Sequence, residues 1–106
     1  MNYERREKLI NDILLIAKQI RQTKGVEYTE GDDVNAVFYQ SNDLGIDEYQ
    51  AVGILMDKHY KSIRSYIATK DTKSNEPIEG RIVDLLNYLL ILYSLIQNEK
   101  LSKISK

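Results

Sequence analysis

Two lines of polar residues stand out in a chain otherwise rich in aliphatic and tyrosine side chains. At about 100° per helical residue, Gly80, Asp84 and Asn87 share one narrow stripe of a segment whose other faces are apolar. In the segment before it, Gln50, Gly53, Asp57, Lys61 and Arg64 align in the same way. Antiparallel packing of the two segments across their short connection sets these stripes face to face, enclosing a polar groove with Asp57, Lys61, Asp84 and Asn87. A carboxylate buried there must be paired, hydrogen-bonded or bound to a metal. Two carboxylates and an amide oxygen suit Mg²⁺, which takes a few protein oxygens alongside water and substrate phosphate. The plainer reading is structural: Asp84 pairs with Lys58 or Lys61, and Asn87 caps or bridges helices. Asp57 beside Lys58 reads most simply as a solvated pair, and His59, next to the apolar face, as a packed residue.

The remaining inventory removes alternatives. The chain has no cysteine and a single histidine, which excludes disulfides, thiolate metal sites and cysteine nucleophiles. The same count argues against a catalytic triad or a histidine zinc site. Neither GxGxxG nor a Walker sequence occurs. Lys and Arg total 15 against 16 Asp and Glu, a net charge of -1, so a duplex nucleic acid is not the expected partner. At 106 residues, 42% hydrophobic and 29% charged, the composition fits one folded domain. Residues 1–6 are charged and lack the apolar run of a signal peptide, which points to the cytoplasm.

The elements that must position these residues are helices. Leu9, Ile13, Ile16 and Ile20 recur at steps of three and four, with Ile10, Leu14 and Ala17 alongside, and predict a first helix over 1–25 that Gly25 ends. Residues 26–45 form an irregular segment with a turn at 30–33, a short helix over 35–40 and a second break ending at Gly45. Tyr28 and Tyr39 in this stretch are candidates for stacking on a base. Asp47 and Gln50 have the spacing of a capping box and open a second long helix over 46–68, with Val52, Leu55, Met56, Tyr60, Ile63 and Ile67 as its apolar positions. After a polar linker, Ser74 or Asn75 caps the last helix, over 75–99, with Pro77 in its first turn. Between Ile82 and Ile96 only Asp84, Asn87 and Ser94 are clearly polar. Such a helix is too short to span a bilayer, and a chain this small cannot surround it, which predicts a homo-oligomer assembled through the last helix. Residues 100–106 form a basic tail expected to fray. The expected architecture is an all-α bundle of three long helices and a short one.

The runs GILMDKHYK at 53–61 and EPIEGRIVDLLNY at 76–88 resemble a small phage and bacterial helical family, the nucleotide modification associated domain type. That family is related to the MazG-like all-α nucleotide pyrophosphohydrolases. Asp57, Lys58, Lys61, Glu79, Asp84, Asn87 and Tyr88 occupy positions matching its motifs, and the likeness extends over about residues 26–98. The resemblance implies a bundle that binds nucleoside triphosphates with Mg²⁺, where carboxylates hold a metal that activates water for pyrophosphate release. By that analogy Asp57, Glu79 and Asp84 are metal ligands, and Asp57, Lys58 and Asp84 are the catalytic set. Lys58 and Lys61 neutralise phosphate, while Asn87 and Tyr88 bind substrate. Ile54 stands where the family often has arginine and Gly80 where it often has aspartate. The paired ExxE helices of full MazG proteins are also missing. Fewer carboxylates weaken metal binding, so two further readings accompany the hydrolase: a catalytically silent oligomer that binds or sequesters a nucleotide, and a small helical inhibitor of a partner protein.

Overall fold

The computed structural model describes residues 1–28, 45–71 and 75–104, and among them every regular element is a helix. Helix α1 spans Tyr3–Tyr28, α2 spans Glu48–Thr69 and α3 spans Ile78–Ile104. The fold is the all-α bundle expected from the periodicity. The short helix placed at 35–40, with the neighbouring turn at 30–33, lies outside the described residues.

Local chemistry accounts for the helix ends. Asn2 opens α1, its Oδ1 accepting the Arg5 N–H at 2.9 Å. The helix runs past Gly25 to Tyr28, so glycine does not stop it; one glycine costs a helix only about 1 kcal/mol. Asp47 caps α2 as its sequence predicts. Its carboxylate accepts the Gln50 N–H at 2.7 Å, and the Gln50 side chain accepts the Asp47 N–H at 2.9 Å, a reciprocal capping box. Gly45, just upstream, has φ +80°, which glycine adopts without penalty. At the other end Lys70 takes the left-handed conformation, φ 63°, and donates its N–H to the Tyr66 carbonyl at 2.7 Å.

The start of α3 falls later than the Ser74 or Asn75 cap predicts. Its first acceptor is the Pro77 carbonyl, which takes the N–H groups of Gly80 and Arg81. Its end falls later too: the tail is helical to Ile104, and Lys103 pairs with Glu99 at 3.2 Å one turn back, a spacing that supports exposed helices modestly.

Helices α2 and α3 form an antiparallel hairpin. Near one end Tyr49 donates to Glu99 and reaches the Leu95 carbonyl; near the other, His59 meets Arg81 and Asp84. The core lies in this seam. Val52 is fully buried against Tyr88 and Leu95, with Tyr49, Leu55, Met56, Ile91 and Leu92 packed around them. Helix α1 lies against α3 on another side, through Ala17 and the polar residues described below. No helix of the described residues is long and apolar enough to cross a membrane.

Candidate functional site

The polar residues of α3 do meet other helices, but not the partners the stripes predict. Residues 57 and 59 lie about 200° apart on a helix. With His59 turned inward and buried, Asp57 faces outward, where it pairs with Lys61 at 3.1 Å one turn along α2. Lys58 is exposed as well, and so is Glu79 in the first turn of α3. The groove expected to hold Asp57 and Lys61 opposite Asp84 therefore does not form. Asp57, Glu79 and Asp84 do not converge, and among the described residues no three His, Cys, Asp or Glu side chains gather closely enough to hold a metal ion.

Asp84 instead stands where all three helices approach. Its Oδ1 is 3.6 Å from Lys24 Nζ of α1, and its Oδ2 is 3.8 Å from His59 Nε2 of α2. Neither Lys58 nor Lys61 is its partner. One turn along α3, Asn87 is buried and bridges to α1 with both ends of its amide. Its Oδ1 accepts from Arg21 Nη1 at 2.8 Å, and its Nδ2 donates to the Ala17 carbonyl at 3.0 Å. Each polar atom of this buried amide thus has a partner, the condition for tolerating it there. The bridging role was among those its position suggested.

His59 completes the cluster. Its ring stacks on Tyr88 with centroids 5.6 Å apart and planes 21° from parallel. Its Nδ1 is 3.2 Å from Arg81 Nη1. Arginine only donates, so Nδ1 is the acceptor and the proton of the neutral ring sits on Nε2, toward Asp84. Burial holds the His59 pKa below its ordinary 6.5; Asp84 opposes that shift, while Arg81 and Lys58 reinforce it. Arg81 is itself buried and lies 3.5 Å from Glu76 at the foot of α3. Tyr88, matched to a substrate-binding position by the resemblance, is a core residue whose ring is covered by His59.

Four members escape the sequence argument: Arg21, Lys24, Glu76 and Arg81. The first two had a signal. Ile10, Leu14, Ala17, Arg21 and Lys24 follow one another at steps of four and three, so an apolar stripe turns basic in the last turns of α1. Glu76 and Arg81 carry no comparable mark.

The molecule is thus a small all-α protein whose third helix is held on one side by an apolar seam and on the other by a polar, net-basic cluster. No family model, curated protein or solved structure matches the chain.

Proposed function

We propose that the protein binds a nucleotide through its phosphates at the α1–α3 junction and does so without metal-dependent hydrolysis. The carrying observation is Arg21. Among the described residues Lys24 is paired with Asp84 and Arg81 with Glu76, whereas Arg21, half-buried, is held by the neutral amide of Asn87. A guanidinium held at one edge keeps further donors in a planar fork suited to a phosphate oxygen pair. Lys24, with 43% of its side chain exposed, lies one turn away to share the charge. The resemblance supports a nucleotide as the phosphate carrier, since it assigns Asn87, which orients Arg21, to substrate binding. The scattered carboxylates favour capture over Mg²⁺-assisted pyrophosphate release, the second reading. Self-association through the last helix belongs to the same proposal, supported by the exposure of Leu89, Leu90 and Tyr93.

The test is incubation of the protein with a mixed nucleotide pool, with Mg²⁺ or with chelator, followed by chromatography of bound and free fractions. Retention of an unaltered nucleotide in both conditions is expected, weakened about tenfold by Lys24→Ala, a loss of ~1.4 kcal/mol. Formation of monophosphate and pyrophosphate only with Mg²⁺ overturns capture in favour of hydrolysis. Failure to retain any nucleotide overturns both and leaves the inhibitor reading, which co-purification of a partner protein then examines.

A further inference from the structure

Five hydrophobic residues are buried among the described residues, while fifteen large ones are exposed. That proportion is inverted for a chain living alone, since large contiguous apolar patches on soluble monomers are rare. Several of the exposed side chains fall, with half-buried neighbours, on ordered stripes. On α1, Leu9, Ile13, Ile16 and Ile20 follow at steps of four, three and four. On α3, Ile82, Leu86, Leu89 and Tyr93 follow at the same steps. This is the spacing of a seam that packs against another helix. In neither stripe is any residue fully buried: Leu9 and Ile16 are 49% and 47% exposed, Leu89 and Tyr93 47% and 62%.

The two stripes share one side of the molecule. Ala17 and Arg21 meet Asn87 while Lys24 meets Asp84, so α1 and α3 run antiparallel where they touch. Advancing 100° per residue from those contacts turns both stripes away from α2. We propose that this two-helix face is the docking surface for a second copy of the chain, and that the interface is built from α1 and α3 together. The proposal rests on the self-association through the last helix proposed above and adds α1 to it, and its test is read without any nucleotide.

Two observations select a second copy. Both stripes are free of charged residues, so a twofold-related partner brings no like charges together. Leu9, Ile16, Ile82, Leu89, Leu90 and Tyr93 are 41% to 62% exposed, and with the half-buried Ile13, Ile20 and Leu86 they supply roughly 700 Å² per copy, within the range of a standard interface.

Sedimentation of the full chain at about 100 µM, where even a weak dimer is populated, tests the surface with Leu89→Glu, Ile16→Glu and Ile54→Glu. The natural chain is expected at twice its 12.3 kDa mass or more. Leu89→Glu and Ile16→Glu should shift it to monomer with helicity retained, and Ile54→Glu, on the outer side of α2, should not. A monomeric natural chain overturns the proposal, as does an oligomer that survives both stripe variants. If the charged variants fail to fold, cysteine variants decide, because the chain has none of its own. Leu89→Cys should form an inter-copy disulfide on mild oxidation faster than Ile54→Cys, and equal rates overturn the assignment.

Discussion

Helix α3 has two neighbours and holds them by different physics. Against α2 it buries Val52, Tyr88 and Leu95 in a continuous apolar seam, stabilised by area removed from water at about 25 cal/mol per Å². On the side toward α1 it buries Ala17 and carries Val83, buried one turn before Asn87, and it adds the directional contacts of Asn87, Arg21, Lys24 and Asp84. Net contributions there are smaller, about 1 kcal/mol for a hydrogen bond and less for a partly exposed ion pair. Polar pins, however, fix register more sharply than aliphatic packing does, because each atom of the Asn87 amide has one partner at one position. The difference teaches that the hairpin is the stable unit, while α1 is set in place by a few directional contacts with most of its apolar residues turned outward.

The largest effect expected from this contrast lies in the hairpin seam. Leu95→Ala removes a buried side chain from the core and should cost about 3 kcal/mol, a large part of the stability of a domain this small. Urea unfolding followed by circular dichroism should show one transition at a lower midpoint, with all three helices lost together. Loss of α1 alone, with the midpoint of the hairpin unchanged, would break the comparison.

Asn87→Ala tests the other seam. It removes the second donor to the Ala17 carbonyl, which keeps its helical bond, and leaves Arg21 without its Asn87 acceptor, a cost of about 1–2 kcal/mol. The cost should fall on docking of α1 rather than on the hairpin. Hydrogen exchange is then expected to speed up in residues 13–24 while amides around Val52 and Leu95 keep most of their protection. Equal acceleration in both regions would mean that the two seams form one cooperative unit.

Where the two seams join, His59 makes the contrast dependent on pH. Its pKa is held below 6.5 by burial, against the pull of Asp84 and with the help of Arg81 and Lys58. The unfolded chain therefore takes up the proton first, and stability falls as pH drops below 6.5 until the ring is protonated in the folded state as well. Above about pH 7.5, where the unfolded ring is neutral as well, the residue contributes no slope. Midpoints measured between pH 8 and 5 should decline on the acid side, and His59→Gln should flatten that decline. An unchanged slope in the variant would assign the acid sensitivity to other groups.

The residues explain which parts of this arrangement could be read in advance. The Asp47–Gln50 box is a contact across three residues, and spacing alone specifies it. Val52, Leu55 and Met56 follow from periodicity, because a helix buries the face on which its apolar residues recur. Asp84 and Asn87 are conspicuous as polar residues in an apolar helix, and both mediate contacts between helices. Their partners are another matter. Whether α2 turns Asp57 or His59 toward α3 is decided by how the apolar seam seats, and Val52 and His59 sit within about 20° of one another on the helix. Burying the first brings the second inward, and the stripe containing Asp57 goes to solvent. Arg21 reaches Asn87 across 66 residues of chain, a pairing that no local spacing encodes.

The smallest effect sharpens the comparison from the far end of the hairpin. Lys70 closes α2 with φ 63°, a conformation that costs a residue with a Cβ on the order of 1 kcal/mol more than glycine. Its ammonium lies 5.6 Å from the centre of the Tyr66 ring, a contact worth about 0.5 kcal/mol at an exposed site. Lys70→Gly relieves the first and loses the second, so a net gain of about 0.5 kcal/mol is expected. Because the contacts of Lys70 among the described residues lie with Tyr66 at the end of the hairpin, the gain should raise protection around Val52 and Leu95 and leave the opening of α1 where it was. A matching rise in α1 would show that docking of the first helix borrows its stability from the hairpin and is not set by the Asn87, Arg21 and Lys24 pins alone.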